Sequence, residues 1–219
     1  MPRPITEKSS KKYKTEYSKK YYLENKNKIQ EKRAQNKEMS LEKMRNRGKV
    51  HREQFKDFLA LFKNTSCLDC GNNFPAYVMD FDHVRGEKLF TISQGLSLGK
   101  SKKEIIAEIA KCDIVCANCH RVRTFLRRSP RKKRKSKAVE ARILKYNELK
   151  SLPCTDCHIS YPSESMDFDH VRGEKLFNVS TGIQKPDAIF FAEIAKCELV
   201  CANCHRERTN LRVDVNASL

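Results

Sequence analysis

The sequence predicts an α+β chain: two small units in tandem behind a long, basic, helical arm. Three observations carry this. The twelve residues Met79–Phe90 recur letter for letter at Met166–Phe177. Each copy lies between two Cys-x-x-Cys pairs, Cys67/Cys70 and Cys116/Cys119 around the first, Cys154/Cys157 and Cys201/Cys204 around the second. The positive charge, finally, is concentrated outside the copies. The repeats are offset by 87 residues at the first cysteine pair and 85 at the last, so the slack falls in a tolerant loop between Phe90 and Ile105.

The elements follow in order. Residues 1–50 are the arm, rich in Lys, Glu, Asn and Gln with a single glycine, Gly48, and read as a long helix or helices. Tyr13, Tyr17, Tyr21 and Tyr22 form an aromatic stripe along it that reads as a packing face. Residues 51–127 make the first unit. Phe55–Phe62 places apolar residues at i, i+3 and i+4, the mark of an amphipathic helix end. A Cys-x-x-Cys turn comes next, then a short strand through Val78–His83. Alternation along it puts Met79, Phe81 and His83 on one face and Asp80 and Asp82 on the other. A loop containing Gly86 follows, then a helix over Lys102–Lys111, a brief strand Ile114–Cys116, and a last helix opened by the turn Ala-Asn-Cys-His. Residues 128–137 are a basic linker. Residues 138–212 repeat the unit, with helices over Ala138–Lys150 and Asp187–Lys196, and 213–219 are a tail.

Ten cysteines must be accounted for. The chain opens Met-Pro-Arg-Pro with no apolar signal segment and has no apolar run long enough to span a membrane. The expectation is an intracellular, reducing compartment (cytoplasm or nucleoid, or a nucleus), no secretion and no membrane partner. Under reducing conditions paired Cys-x-x-Cys turns read as metal ligands rather than disulfides. Units of some 60 residues bury too little surface to be comfortable without a staple. Two structural Zn2+ ions per chain are therefore expected, one on Cys67, Cys70, Cys116 and Cys119, the other on Cys154, Cys157, Cys201 and Cys204. Cys112 and Cys197 read as small buried residues instead.

The net charge of +18 is uneven. Residues 1–63 hold 19 Lys/Arg against 8 Asp/Glu, and residues 127–137 hold 8 Lys/Arg and no acid, which leaves the repeats near neutrality. Basic segments flanking neutral units suit a nucleic-acid binder that holds phosphates with its arms. Arg127, Arg128, Arg131, Lys132, Lys133, Arg134 and Lys135 are the candidate backbone contacts, and a nucleic acid is the expected partner.

A four-thiolate cage has no open position, so chemistry would have to come from other residues. Asp82-His83 with His120, and Asp169-His170 with His205, are the candidates; these are four of only six histidines in the chain. An imidazole can take a proton from water near neutral pH, and a carboxylate with a His nitrogen can hold a divalent ion while leaving room for a phosphate.

Asp-His, a glycine loop and Cys-x-x-Cys-His-Arg between cysteine pairs resemble the four-cysteine, zinc-stapled HNH endonucleases of the ββα-metal (His-metal finger) group. The resemblance covers both repeats, about 120 of 219 residues. It implies two zinc-stapled ββα-metal units and a one-metal nuclease. It makes His83 and His170 the general bases, Asp82 and Asp169 the metal-binding carboxylates, and His120 and His205 the residues that complete a site for Mg2+ or another divalent ion. The family's middle Asn has no counterpart in Lys111–Val115. Asn118 and Asn203, inside the Cys-x-x-Cys turn, are the candidates for bracing the base, or else they cap the last helix.

The function expected is metal-dependent DNA endonuclease activity at tandem sites, the two units reaching both strands across a flexible linker. The alternative is a non-catalytic tandem zinc protein that binds DNA. The Asp-His pair favours the enzyme, because a pure binder has no need of a carboxylate facing phosphate.

Overall fold

The computed structural model describes residues 11–129 and 136–217, with side chains over 15–129 and 136–213. Arg131, Lys132, Lys133, Arg134 and Lys135 lie outside the described residues, as does the side chain of Tyr13. The chain divides into two units, residues 1–56 and 57–219.

The first unit is helix. α1 runs Lys11–Lys63, and its last turns belong to the second unit. Good helix formers and i,i+4 pairs such as Lys20–Glu24 (3.9 Å) support it; Gly48 costs about 1 kcal/mol relative to alanine. Tyr17, Tyr21 and Tyr22 are 61%, 53% and 39% exposed, so the expected packing face has no core beneath it in this unit.

The second unit is mixed helix and sheet, with the repeats as two copies of one arrangement. β1 (Met79–His83) pairs antiparallel with β2 (Cys112–Cys116), Asp82 opposite Asp113 and His83 opposite Cys112. α2 (Lys102–Ile109) precedes β2, opened by a capping box in which Ser101 and Glu104 satisfy each other's backbone N–H. α3 (Ala117–Leu126) leaves directly from the end of β2. In the second copy α4 (Lys137–Leu149) leads in, β3 (Met166–His170) pairs with β4 (Cys197–Cys201), and α5 (Asp187–Ile194) and α6 (Ala202–Ala217) match α2 and α3. The loop is two residues longer in the first repeat, where it holds a three-residue 3-10 turn at Ile92–Gln94; the shorter loop of the second holds a six-residue turn at Val179–Gln184. Gly86 and Gly173 take φ +62 and +64 in the loop after each Asp-His pair, a conformation that excludes most side chains.

The cores are small. Val78, Met79 and Val115 pack on Cys67 and Cys116; Met166 and Val200 pack on Cys154, Cys201 and Cys204. With so little apolar surface, each core is completed by its cysteines. No helix among the described residues is long and apolar enough to cross a membrane.

The repeats are packed together, which the expected flexible tether did not anticipate. Asn118 N–H donates to Asn203 Oδ1 (3.0 Å) and Asn203 N–H donates to Asn118 Oδ1 (3.2 Å). Arg121 reaches Asp167 and Arg206 reaches Asp80. When i meets j′ and j meets i′, the interface is isologous, as between the subunits of a two-fold dimer. Here both halves are one chain.

Candidate functional site

Each repeat gathers its four predicted cysteines. The sulfur atoms of Cys67, Cys70, Cys116 and Cys119 all lie within 4.8 Å of one another, as do those of Cys154, Cys157, Cys201 and Cys204. A tetrahedral ion with ~2.3 Å Zn–S bonds spaces its sulfurs by roughly 3.8 Å, so both clusters have the size for zinc. Backbone N–H groups already solvate one thiolate in each: Cys116 N–H points at Cys67 Sγ and Cys201 N–H at Cys154 Sγ, both at 3.2 Å. Burial opposes ionisation of Cys67, yet N–H donors from Cys70, Cys116 and Asp69 bring its thiol down to about 7. Burial and the crowding of neighbouring sulfurs push Cys119 and Cys204 far up. Only a cation lets four thiolates share such a space, so the clusters fit two structural metal ions such as zinc. Cys112 and Cys197 stand apart, buried, each sharing its Sγ hydrogen with a glutamate carbonyl, and burial pushes both thiols up to about 11.

The Asp-His residues sit at one cleft in each repeat. A cleft of about 380 Å³ is lined by Asp82, His83 and His120, and one of about 390 Å³ by Asp169, His170 and His205. The strand parity explains how one hairpin supplies both kinds of group. Asp80 and Asp82 face α3, which carries His120; His83 points the other way, to α2. His83 Nε2 lies 2.9 Å from Glu108 Oε1, and His170 Nε2 lies 2.8 Å from Glu193 Oε1.

The proton positions follow from charge. Burial works to raise Glu108, but Lys111, the Leu89 N–H and His83 outweigh it and hold the carboxyl at about 2. An ionised carboxylate only accepts, so in its neutral form His83 carries its hydrogen on Nε2 and leaves Nδ1 as a lone pair. His120 is fixed the opposite way round. Its Nδ1 donates to Asp80 Oδ2 at 2.9 Å, and Nε2 is left facing Asp82 Oδ1 at 3.6 Å. The second copy repeats this, with 2.9 Å from His205 Nδ1 to Asp167 and 3.5 Å from His205 Nε2 to Asp169 Oδ1.

A lone pair and a carboxylate oxygen facing each other suit a cation. Two ligands ~2.1 Å from an ion at octahedral to tetrahedral angles lie roughly 3.0–3.4 Å apart. The observed gaps of 3.6 and 3.5 Å lie a few tenths of an ångström outside that range.

Asp82 is 2% exposed and already neutralised. Arg127 donates to both of its oxygens (2.7 and 2.6 Å) and Arg123 to Oδ2 (2.9 Å). Burial raises the Asp82 carboxyl, and these arginines more than reverse it, to about 2. Arg212 and Arg208 do the same for Asp169. Arg123 is also tied to Asp69 and Asp113, whereas among the described residues Asp82 is the one carboxylate that Arg127 bonds. Arg127, read from sequence as a backbone contact, is therefore engaged at the candidate site; Arg128 is exposed.

Asn118 and Asn203 brace neither histidine. Their side chains cap each other's helix across the repeat interface, because the turn that positions them sits on the two-fold axis and not beside the cleft. Asn118 Nδ2 is buried with no hydrogen-bond partner among the described residues. It favours the Cys201 thiolate, against the burial that raises that thiol.

Sequence reading missed Glu108 and Glu193, the arginines on Asp82 and Asp169, and the roles of Asp80 and Asp167. A signal existed: Glu-Ile-Ala-Lys-Cys stands at Glu108–Cys112 and again at Glu193–Cys197. Comparison with protein-family models, curated proteins and solved structures returns no match for this chain.

Proposed function

We propose that the chain is a metal-dependent DNA endonuclease of the HNH, ββα-metal kind, with one site in each repeat. The observation that carries this is the pair of histidines at each cleft, oriented oppositely by one buried and one half-buried carboxylate. One turns a lone pair to the cleft from His83 Nδ1, the other from His120 Nε2 beside Asp82.

In this reading His83 takes a proton from the attacking water on Nδ1. Glu108, held ionised, accepts from Nε2–H and stabilises the imidazolium that forms. Water oxygen bonds to phosphorus, the bridging P–O bond breaks, and the departing oxygen leaves with a proton from solvent. A divalent ion such as Mg2+, held by Asp82 with His120 and by Asp169 with His205, would stabilise the charge developing on the phosphate. Lys88 in the first cleft and Lys175 in the second face the same space and suit a phosphodiester. The basic arm and linker supply sequence-independent affinity for the duplex. Two sites about a pseudo-two-fold axis match the dyad of a DNA duplex, so paired cuts, one per strand, are the expected product.

One observation favours the alternative of a non-catalytic zinc protein that binds DNA. Arg123 and Arg127 already neutralise Asp82, so that carboxylate has a structural use without any metal. Incubating supercoiled plasmid with the full chain, with and without Mg2+, separates the readings: nicked and linear products that require the ion support the enzyme, and a metal-independent gel shift without cleavage supports the binder.

A further inference from the structure

We infer that each candidate site is completed by an arginine of the other repeat: Arg206 is a positioning residue for the first site and Arg121 for the second, so neither site is complete without the neighbouring repeat. This rests on the endonuclease reading of Asp82, His83 and His120.

The argument starts at His120. Its Nε2 can face Asp82 as a lone pair only while Nδ1–H has an acceptor, and ligand histidines depend on such outer partners for ring orientation and basicity. The acceptor is Asp80 Oδ2 at 2.9 Å. Asp80 is itself aimed by Arg206, whose guanidinium donates to both oxygens, Nη1 to Oδ1 at 2.9 Å and Nη2 to Oδ2 at 2.8 Å. Arg206 belongs to α6 of the second repeat. It also donates to the Val78 carbonyl at 3.0 Å, which fixes the fork against the start of β1. A bidentate fork sets the plane of a carboxylate, which a lysine cannot do. The second copy repeats the relay with a single prong: Arg121 Nη1 donates to Asp167 Oδ1 (2.7 Å), and His205 Nδ1 donates to Asp167 Oδ2 (2.9 Å).

Adjacent residues make this crossing possible. His120-Arg121 and His205-Arg206 are consecutive on the first turns of α3 and α6, and consecutive helical side chains diverge by about 100°. The histidine therefore turns to its own hairpin while the arginine crosses to the neighbour's. The reciprocal Asn118–Asn203 bonds lock the same two helix starts. Displacing one repeat from the other removes an arginine from each site at once.

The test uses the full-length chain in two backgrounds, His170→Ala, where the first site cuts, and His83→Ala, where the second cuts. Strand-specific nicking is measured for Arg206→Gln, Arg206→Lys and Arg121→Gln in each, with zinc content and circular dichroism as checks on folding. The expected pattern is crossed. Arg206→Gln lowers cutting by the first site by roughly 10–100-fold, the scale of outer-shell changes at metal sites, and far more than cutting by the second. Arg121→Gln does the reverse, and Arg206→Lys gives an intermediate loss. Imidazole nitrogen NMR supplies a readout independent of catalysis: Arg206→Gln shifts His120 away from the Nδ1–H form. Loss confined to the repeat that carries the substitution, or equal loss at both sites, overturns the pairing. If the parent backgrounds do not cut, the endonuclease reading fails and the NMR readout alone decides: an unchanged His120 tautomer overturns the relay, and a shifted one supports it.

Discussion

Glu108 Oε1 stands 2.9 Å from His83 Nε2, and the carboxylate also accepts from the Leu89 N–H at 3.0 Å. One buried glutamate thus fixes both the proposed base and the loop that follows it. Glu108→Gln keeps the shape, and its carbonyl can still accept, but the charge that stabilises protonated His83 is gone. Hydrogen bonds to charged groups contribute about 1.5–3 kcal/mol, so nicking by the first site should fall by roughly tenfold or more at unchanged zinc content. Full activity in this variant would remove Glu108 from the mechanism.

The same carboxylate gives a pH dependence with a definite sign. Folding lowers Glu108 from its ordinary 4.5 to about 2. A depressed carboxyl contributes stability that is complete above pH 4.5 and disappears as pH falls towards 2. The stability difference between the wild-type chain and Glu108→Gln should therefore narrow as pH falls from about 4.5 towards 2. Urea denaturation of both chains across that range checks it; a difference that widens with acid would mean Glu108 is not ionised in the fold.

Zinc removal should be felt across the interface. Structural zinc contributes on the order of 10 kcal/mol to small modules. Cys116→Ser should cost the first repeat its ion, and through α3 should also loosen Asn118 and Arg121, which bond to the second repeat. Two zinc ions in the wild-type chain, one or fewer in the variant, and faster amide exchange around Asp167 and Asn203 are expected. Unchanged exchange in the second repeat would show that the interface transmits nothing.

The arm is testable by salt. Deleting residues 1–50 should weaken binding to every duplex alike and flatten log K against log salt, by roughly 0.9 for each DNA phosphate that the arm neutralises. An identical slope for the truncated chain would show that the arm leaves the phosphates alone.

What sequence could reveal was what repeats locally. The cysteine clusters, the order of strands and helices, and the placing of Asp82, His83 and His120 at one cleft follow from motifs whose residue types announce a shared site, and each was readable twice. Glu108 was hidden because a glutamate in an amphipathic helix looks solvated, and nothing in the helical period says that it points at a strand 25 residues away. Arg121 and Arg206 were hidden for a different reason. Their partners are chosen by how two folded repeats dock, and docking leaves no periodic trace. The near neutrality of the repeats was its one shadow: their cations are spent on their own carboxylates, Arg123 on Asp82 and Asp69, Arg206 on Asp80.

The single histidine variants should separate the strands. His83→Ala should leave a chain that nicks one strand, and His170→Ala one that nicks the other, with zinc and DNA affinity unchanged. End-labelling of each strand reads this directly; one inert and one wild-type-like variant would mean that a single repeat cuts.

The most direct test of the whole account is the double variant. The wild-type chain should convert supercoiled plasmid to nicked and linear forms in Mg2+ and do nothing in a chelator that spares the zinc. His83→Ala/His170→Ala, still carrying two zinc ions and still binding the plasmid, should leave it supercoiled. Cleavage by the double variant at the wild-type rate would contradict the account.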